Sequence, residues 1–219
     1  MVDKNYDNNS YKNIIKIPVE NPRKSFSELL VNFCEKKINA QDKSNYRNQS
    51  IIFHSAEIGN NLKIGNFSEI KSNVKIGDNV IIGNGVTISE NCIIGDNSII
   101  KNGVHLECTV INENVTINEN SVLGKNGFGF IPLGLKTKMF FHIGGVIIGQ
   151  NSYIGSNSNV DRGFINDTII GKSVMIDNQV HIAHNCKIED NCILPGKCAL
   201  SGSVHLKKNV ILGGGVGIV

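Results

Sequence analysis

An aliphatic residue recurs every six positions along most of this 219-residue chain, and this period limits the possible folds more than any other feature. The period runs for nine units, slips by one residue, is interrupted after residue 123, and resumes from residue 148 with one four-residue extension. Twenty-four positions share it: Ile58, Ile64, Ile70, Ile76, Ile82, Ile88, Ile94, Ile100, Leu106, Ile111, Ile117, Leu123, Ile148, Ile154, Val160, Ile170, Ile176, Ile182, Ile188, Leu194, Leu200, Leu206, Leu212 and Ile218. Six residues are too few for a helix and its connection, so each unit has to be a short strand that stacks on copies of itself.

The other positions of the unit are also regular. A small apolar or hydroxyl-bearing residue stands four positions after each aliphatic residue, as at Val74, Val80 and Cys92. Gly, Asp, Asn or Glu fills the two positions directly after the aliphatic residue, and these types favour tight turns and left-handed backbone. The pattern predicts an all-β chain, a parallel β-solenoid in which each unit has two inward side chains and one sharp corner.

The composition agrees with a β-rich, turn-dense protein. The chain has 33 Ile, 31 Asn and 23 Gly but no Trp, whereas a helical bundle would be rich in Leu, Ala and Met. A hydrophobic fraction of 40% and a net charge of +3 argue against disorder, and the interspersed charges argue against nucleic-acid binding. The sequence shows neither a secretory signal nor an apolar run of about 20 residues, so we expect a soluble, cytoplasmic protein with reduced thiols.

Position within the unit explains most of the cysteines and histidines. Four cysteines occupy the small inward position and are expected in the core: Cys92, Cys186, Cys192 and Cys198. Three histidines occupy an outward strand position and are expected to be solvated: His105, His181 and His205. His184 instead occupies a corner position, where neighbouring units have Asn, Asp or Gly. Position alone leaves two interpretations of this imidazole open, a surface residue of no consequence or a functional one.

The segment from Gly124 to Gly202 contains motifs that are more specific than the repeat. It reads GKNGFGF at 124–130, HIGGVIIGQNSYIGSNSNVDRGFINDTIIG at 142–171 and IDNQVHIAHNCKI at 176–188. These motifs, in this order, resemble the UDP-3-O-acylglucosamine N-acyltransferase family of lipid A biosynthesis, and the resemblance covers roughly residues 15–219. It implies a left-handed β-helix with three hexads in each coil. It also implies a homotrimer with active sites between neighbouring prisms.

The resemblance implies amide formation by acyl transfer. The 2-amino group of a UDP-3-O-acyl-glucosamine, an aminosugar lipid, would attack the thioester that joins a 3-hydroxyacyl chain to the phosphopantetheine of acyl carrier protein. No bound cofactor and no metal ion are implied. His184 matches the catalytic histidine of the family, and imidazole suits a general base near neutral pH.

The same match assigns roles to further residues. Asp177 and Asn185 match residues that position the histidine and the acyl donor, and Asn178 is expected to contact the substrate. Gly202 matches a glycine whose backbone N–H stabilises the oxyanion of the tetrahedral intermediate. The repeat supports this role independently, because Gly202 follows His184 by 18 residues and should stack on it about 4.8 Å away.

The sequence divides into two parts. Residues 1–50 are expected to be a short remnant of the family's uridine-binding domain with a linker, and Ser25 with Glu28 predicts a capping box for a helix within 21–38. Residues 51–219 are expected to form the β-helix, interrupted by a loop at 124–147. The chain is short at both ends compared with the family, whose second active-site histidine would follow position 219. We therefore expect a truncated product, a fragment of a longer frame or a degenerate homologue.

The interrupting loop is unusually apolar. Phe128 and Phe130 belong to it, and a solvent-exposed loop does not favour such side chains. Both residues are expected either to line an acyl pocket, and so to bind substrate, or to pack on an adjacent subunit.

Three other functions are open. An acetyl-CoA-dependent sugar N-acetyltransferase of the same fold would differ in its acyl donor. A metal enzyme resembling the γ-class carbonic anhydrases would need three histidines at a subunit interface, but His181 and His184 fall in different positions of the repeat. A structural β-solenoid or inactive homologue would keep the trimer without turnover.

Overall fold

The structure is a computed structural model that describes residues 2–3, 17–29, 49–134 and 136–219. The chain forms two compact units, Met1–Arg47 and Asn48–Val219. In the first unit, strands β1 (Val2–Asp3) and β2 (Pro18–Val19) pair in parallel, and helix α1 spans 22–29. Within the described residues, no helix is both long and apolar enough to cross a membrane.

Helix α1 begins one turn before the predicted cap. Asn21 is the N-cap residue, because its Oδ1 accepts a hydrogen bond from the N–H of Lys24 at 3.0 Å. Pro22 occupies the first helical position, where its missing N–H leaves no hydrogen bond unmade. Ser25 therefore lies inside the helix, and the predicted capping box of Ser25 with Glu28 is wrong. The rest of the predicted helix, including Cys34, lies outside the described residues.

The second unit is a left-handed parallel β-helix of about nine coils, which confirms the predicted fold class. Its strands form three parallel sheets. Sheet A has eight strands: β4 (Glu57–Ile58), β7 (Lys75–Ile76), β10 (Ile93–Ile94), β13 (Thr109–Ile111), β18 (Val146–Ile148), β21 (Thr168–Ile170), β24 (Lys187–Ile188) and β27 (His205–Leu206). Sheet B has seven: β5 (Lys63–Ile64), β8 (Ile81–Ile82), β11 (Ile99–Ile100), β14 (Thr116–Ile117), β19 (Tyr153–Ile154), β22 (Met175–Ile176) and β25 (Ile193–Leu194). Sheet C has nine: β3 (Ile51–Ile52), β6 (Glu69–Ile70), β9 (Thr87–Ile88), β12 (His105–Leu106), β15 (Val122–Lys125), β20 (Asn159–Asp161), β23 (His181–Ile182), β26 (Ala199–Leu200) and β28 (Gly217–Ile218).

Two inward positions of each hexad build the core, as predicted. Ile70 and Ile88 at the aliphatic position are 0% exposed, and so are Val74 and Cys92 at the small position. The other three cysteines assigned to the small position, Cys186, Cys192 and Cys198, are also buried. The period of six therefore reports burial directly.

The corners differ from the sequence-based expectation in one respect. The left-handed residue is the third after the aliphatic residue, as at Asn79 and Asn97 with φ of 57° each, and not the first or second. At some first corner positions, glycine is needed because neighbouring coils approach closely. A Cβ on Gly155 would lie only 2.3 Å from the carbonyl carbon of Asp177 in the next coil.

All departures from the period fall in one column of corners, between sheets C and A. The corner at residues 107–108 is one residue shorter than the period requires, and the corner at 162–167 is four residues longer. Between these two, the chain leaves the coil after β15 and returns at β18. The inserted segment, residues 126–145, contains an antiparallel hairpin of β16 (Phe130–Leu133) and β17 (Lys136–Met139).

Burial in the narrow core predicts a clear asymmetry within strand β10. Replacing Ile94, which is 1% exposed, by Ala should lower the free energy of unfolding by about 3 kcal/mol, because a cavity remains between the coils. Replacing Ile93 by Ala is the matched control, since this outward side chain is 40% exposed and should contribute less than about 1 kcal/mol. Urea denaturation would measure both, and equal losses would contradict the inward and outward assignment.

Candidate active site

His184 lies in the corner between β23 and β24, in the same column as the insertion. At this corner position most coils use a short acceptor side chain that binds the preceding coil. Asn178 Oδ1, for example, accepts the N–H of Ser156 at 2.7 Å, and Asp190 Oδ1 accepts the N–H of Lys172 at 3.0 Å. Among the described residues, the His184 side chain makes no such contact with the preceding coil.

Asn185 orients the His184 ring. His184 Nδ1 lies 3.0 Å from Asn185 Oδ1, and the same oxygen accepts the N–H of Phe164 at 2.9 Å. Asn185 has a left-handed backbone with φ of 61°, and its Nδ2 donates to the carbonyl of Asn166 at 3.1 Å. Because an amide oxygen only accepts, His184 Nδ1 has to be the protonated nitrogen. This tautomer leaves the lone pair on Nε2, as a general base requires.

Gly202 lies directly against the ring of His184, in the next coil. A Cβ at Gly202 would come within 2.6 Å of His184 Nε2 and Cε1, so only glycine admits the ring. The coils are joined here by the N–H of Ser203, which donates to the carbonyl of His184 at 2.9 Å. The N–H of Gly202 donates to no acceptor within 49–134 and 136–219. The stacking expected from the 18-residue spacing is therefore present, with a backbone donor beside the base.

An open groove of about 260 Å³ lies in front of His184 and Gly202, on the outer face of sheet C. Phe128 of the insertion forms one side, and Asp161 lies across from it with a side chain 15% exposed. The Asp161 carboxylate is 3.8 Å from His181 Nε2. Burial raises the pKa of Asp161, while the positive charges that His181 and His184 can carry oppose this rise. The groove thus combines two imidazoles, one carboxyl group and an apolar wall.

The insertion covers His184 from the other side, which sequence reasoning missed. Gly127 touches it so closely that a Cβ there would lie 2.9 Å from His184 Cβ and 3.0 Å from His142 Nε2. The His142 ring is 5.0 Å from the His184 ring, centroid to centroid. A corner insertion has no repeat register, so neither the period nor any spacing could place His142 beside His184. Asp161 belongs to the VDRG sequence at 160–163, one of the motifs that carry the resemblance, but the motif alone assigns no role to the carboxylate.

Asp177 and Asn178 lie at a different corner of the same chain. They follow β22, between sheets B and C, whereas His184 is between sheets C and A. Asp177 Oδ2 accepts the N–H of Gly196 at 3.0 Å, which ties two coils together there. Phe130 lies beside Phe128, with ring centroids 5.5 Å apart, and is 51% exposed. A single chain therefore unites His184, Asn185, Gly202 and Phe128, but not Asp177 or Asn178.

Of the three histidines predicted to be solvated, His105 is not, because its Nε2 is buried and has no hydrogen-bond partner among the described residues. His181 and His205 are partly exposed on sheets C and A, and His205 Nε2 lies 2.8 Å from Glu189 Oε1. In the part of the chain that the structure describes, no three His, Cys, Asp or Glu side chains converge as metal ligands would.

Known proteins resemble this chain in both repeat and fold. The family model described as bacterial transferase hexapeptide (six repeats) matches residues 55–90 and 167–202, and that of the hexapeptide repeat of succinyl-transferase matches 86–111 and 145–182. The UDP-3-O-acylglucosamine N-acyltransferase of Saccharophagus degradans is 49% identical over 55 residues, which is 25% of this chain and 16% of that protein. The enzyme of the same name from Hahella chejuensis is 36% identical over 94 residues, 43% of this chain and 27% of that protein. The matched segments thus span less than a third of these relatives.

Solved structures extend the likeness over most of the β-helix. The UDP-N-acetylglucosamine acyltransferase from Campylobacter jejuni is 25% identical with a TM-score of 0.51, covering 77% of this chain and 57% of that one. The Arabidopsis UDP-N-acetylglucosamine acyltransferase has a TM-score of 0.54 at 23% identity, covering 76% and 60%, and shows the shared fold. The repeat, the coil geometry and these matches together show a left-handed β-helix of hexapeptide repeats, and the matched segments are similar to those of acyltransferases.

Proposed function

We propose that the chain is an N-acyltransferase that transfers a 3-hydroxyacyl chain from acyl carrier protein to the 2-amine of a UDP-3-O-acyl-glucosamine. The observation that supports this most directly is the pairing of His184 Nε2 with the backbone of Gly202 inside the groove. The names of the partial-length relatives indicate the same substrate class. The soluble donor and the nucleotide sugar would place the reaction in the cytoplasm.

The geometry suits attack on a thioester. The amine nitrogen attacks the thioester carbonyl carbon while His184 Nε2 takes its proton, which leaves an imidazolium held at Nδ1 by Asn185. The negative charge on the carbonyl oxygen then faces the N–H of Gly202. Collapse of the tetrahedral intermediate breaks the C–S bond, and the imidazolium returns the proton to the departing thiolate. The amide and the free phosphopantetheine thiol are the products.

Apolar side chains near the groove favour a long acyl chain over an acetyl group. Phe128 is 72% exposed at the groove wall, and Phe130 is 51% exposed next to it. Phe141 and Ile143, on the returning leg of the insertion, are 83% and 72% exposed. Exposed apolar surface of this kind marks a binding site, because water contact with it is unfavourable. We assign Phe128 and Phe130 to acyl-chain binding, with the phosphopantetheine thioester of acyl carrier protein as donor.

The outer face of sheet B supports a homotrimer. Strand register aligns one outward residue of each strand into a column, and this column is largely apolar: Lys63, Ile81, Ile99, Thr116, Tyr153, Met175, Ile193 and Ile211. Tyr153, Met175 and Ile193 are 40–46% exposed and line a groove of about 430 Å³. A continuous apolar strip on a β-helix face is suited to packing against another prism.

Asp177, which is far from His184 within one chain, lies at this same face. Asp177 borders the apolar groove of sheet B, so prism packing on this face would carry it to a neighbouring molecule. We propose that Asp177 and Asn178 of the partner subunit complete the site of His184. Each trimer would then hold three composite sites, one at each interface.

The first prediction concerns loss of the proposed general base, His184. His184→Ala should lower kcat for amide formation by at least about 100-fold, because the variant lacks the imidazole that takes the amine proton. His205→Ala is the matched control, since this histidine lies outside the groove and should leave turnover unchanged. Mass spectrometry of the product from 3-hydroxyacyl-[acyl carrier protein] would measure both. Retained synthesis in His184→Ala, or transfer from acetyl-CoA alone, would refute the proposal.

The second prediction concerns the proposed oxyanion donor, the backbone N–H of Gly202. Gly202→Ala places a methyl group within 2.6 Å of His184 Nε2, so the ring has to move away from the donor and kcat should fall about 100-fold. Gly214→Ala is the control, because a Cβ there meets nothing closer than the carbonyl oxygen of Gly196 at 3.7 Å. The imidazole NMR signals of His184 should shift in Gly202→Ala and stay in place in Gly214→Ala. An active Gly202→Ala enzyme would exclude this role.

The composite site predicts complementation between two inactive variants. His184→Ala and Asp177→Ala subunits, unfolded together and refolded as a 1:1 mixture, should regain about a quarter of wild-type activity, because about three quarters of the trimers are mixed and each mixed trimer has one intact site of three. Each variant refolded alone is the control, and light scattering would verify the trimer. A mixture that stays at the activity of its components would mean that one subunit supplies both residues to a site, or that Asp177 does not belong to the site.

A further inference from the structure

His142 is buried directly behind the His184 ring, although it belongs to the insertion and not to the β-helix. It is 1% exposed, and its ring centroid lies 5.0 Å from that of His184. Phe140 stacks on it at 5.4 Å with an interplanar angle of 16°, and Phe164 meets it edge-on at 5.5 Å. The backbone fixes the position further, because the N–H of His142 donates to Asn126 Oδ1 at 2.7 Å.

Both ring nitrogens of His142 lack a hydrogen-bond partner among the described residues. Enclosure between two phenylalanine rings and an imidazole provides no counter-ion for a charged ring. Burial lowers the pKa of His142, and the charge on a protonated His184 lowers it further. Burying an imidazole without hydrogen-bond partners destabilises the fold, and a leucine or phenylalanine would fill the same space without this cost. The presence of histidine here therefore points to a function.

We propose that His142 is a positioning residue for His184: its uncharged ring is the wall that holds the imidazole with Nε2 facing Gly202, and protonation of His142 disables the site. The inference depends on the proposed acyl transfer for its kinetic consequences. It assigns to the insertion a catalytic task besides acyl binding. It also explains why Gly127 is required, because any side chain there would collide with both rings.

The charges that act on His142 oppose its protonation, whereas the backbone of Phe140 favours it. His184 and Arg162 both disfavour a proton on His142, and Asp161 interacts with His184 from the strand that precedes the long corner. Arg162 is partly neutralised by Glu107, whose carboxylate lies 3.3 Å from its guanidinium. When the pH falls far enough to protonate both imidazoles, two like charges face each other across 5.0 Å, and the rings have to separate.

Stability should depend on pH in a defined window. Because the folded pKa of His142 is lowered, the unfolded chain binds a proton first as the pH falls below the ordinary histidine value of about 6.5. In that range the unfolded state holds more protons, so the free energy of unfolding decreases with falling pH. Above this range both states are uncharged at His142, and the residue contributes no pH dependence.

The test compares His142→Phe with His142→Ala. Phenylalanine preserves a flat ring that cannot be protonated, so it should restore most of the kcat that alanine loses, a loss of about 10–100-fold with little change in KM. As the pH decreases, log kcat of the wild type should fall first with a slope of one proton and then with a slope of two. For His142→Phe the slope should remain one throughout. His205→Ala is the control for an exposed histidine and should keep the wild-type profile.

Thermal unfolding between pH 7.5 and 5 tests the same residue without an assay of turnover. The melting temperature of the wild type should fall over this range more steeply than that of His142→Phe. If acyl transfer is absent in the wild type, the proposed function fails, but this comparison still reports whether His142 is buried uncharged. An active enzyme with unaltered kcat in His142→Ala, or identical pH profiles for wild type and His142→Phe, would overturn the inference.

Discussion

Backbone hydrogen bonding between successive coils is the interaction on which the rest of the structure depends. Strands of two to four residues cannot satisfy their own N–H and C=O groups, so each one is stable only between the strands above and below it. In a regular coil this pairing joins residues 18 apart, as in the register of Ile176 with Leu194 and of Ile182 with Leu200. The core has only two inward side chains per hexad, so stability is the sum of contacts between nearest coils. A substitution at any position is therefore felt first by the residue stacked on it.

This constraint decides where a catalytic site can be built. A strand cannot change length without breaking its register with two neighbours, but a corner can be shortened or extended. The chain uses that freedom in a single column, between sheets C and A, where the short corner at 107–108, the insertion at 126–145 and the long corner at 162–167 follow one another. Hydrogen bonds from Ile143 to Phe164 and from Gly144 to Gly163 join the insertion to the long corner. His184 occupies the next corner of this column, so the irregular segments together enclose one side of its ring.

The sequence predicted what the period determines and missed what departs from it. Inward residues, buried cysteines and the contact of His184 with Gly202 all follow from counting sixes and eighteens. His142 could not be placed this way, because the 20 inserted residues carry no register and reach their position through contacts of Phe140 and Phe164. The family resemblance assigned Asp177 and His184 to one site, and the two residues are seven positions apart in the sequence. Seven residues are about one face of the prism, so the coil separates them onto different corners.

The site is assembled from local exceptions to the corner rules, and each exception is matched by a compensating contact. His184 does not supply the acceptor that Asn178 and Asp190 provide at the same hexad position in the other two columns of corners. Asn185 supplies one instead, because its side chain accepts the N–H of Phe164 and orients His184 at the same time. Gly202 omits a side chain of its own to admit the ring, and the N–H of Ser203 keeps the coils joined. The β-helix thus accommodates one imidazole in a column of small residues. The contacts of Asn185, Gly202 and Ser203 that keep the coils joined around His184 are also the contacts that orient its ring.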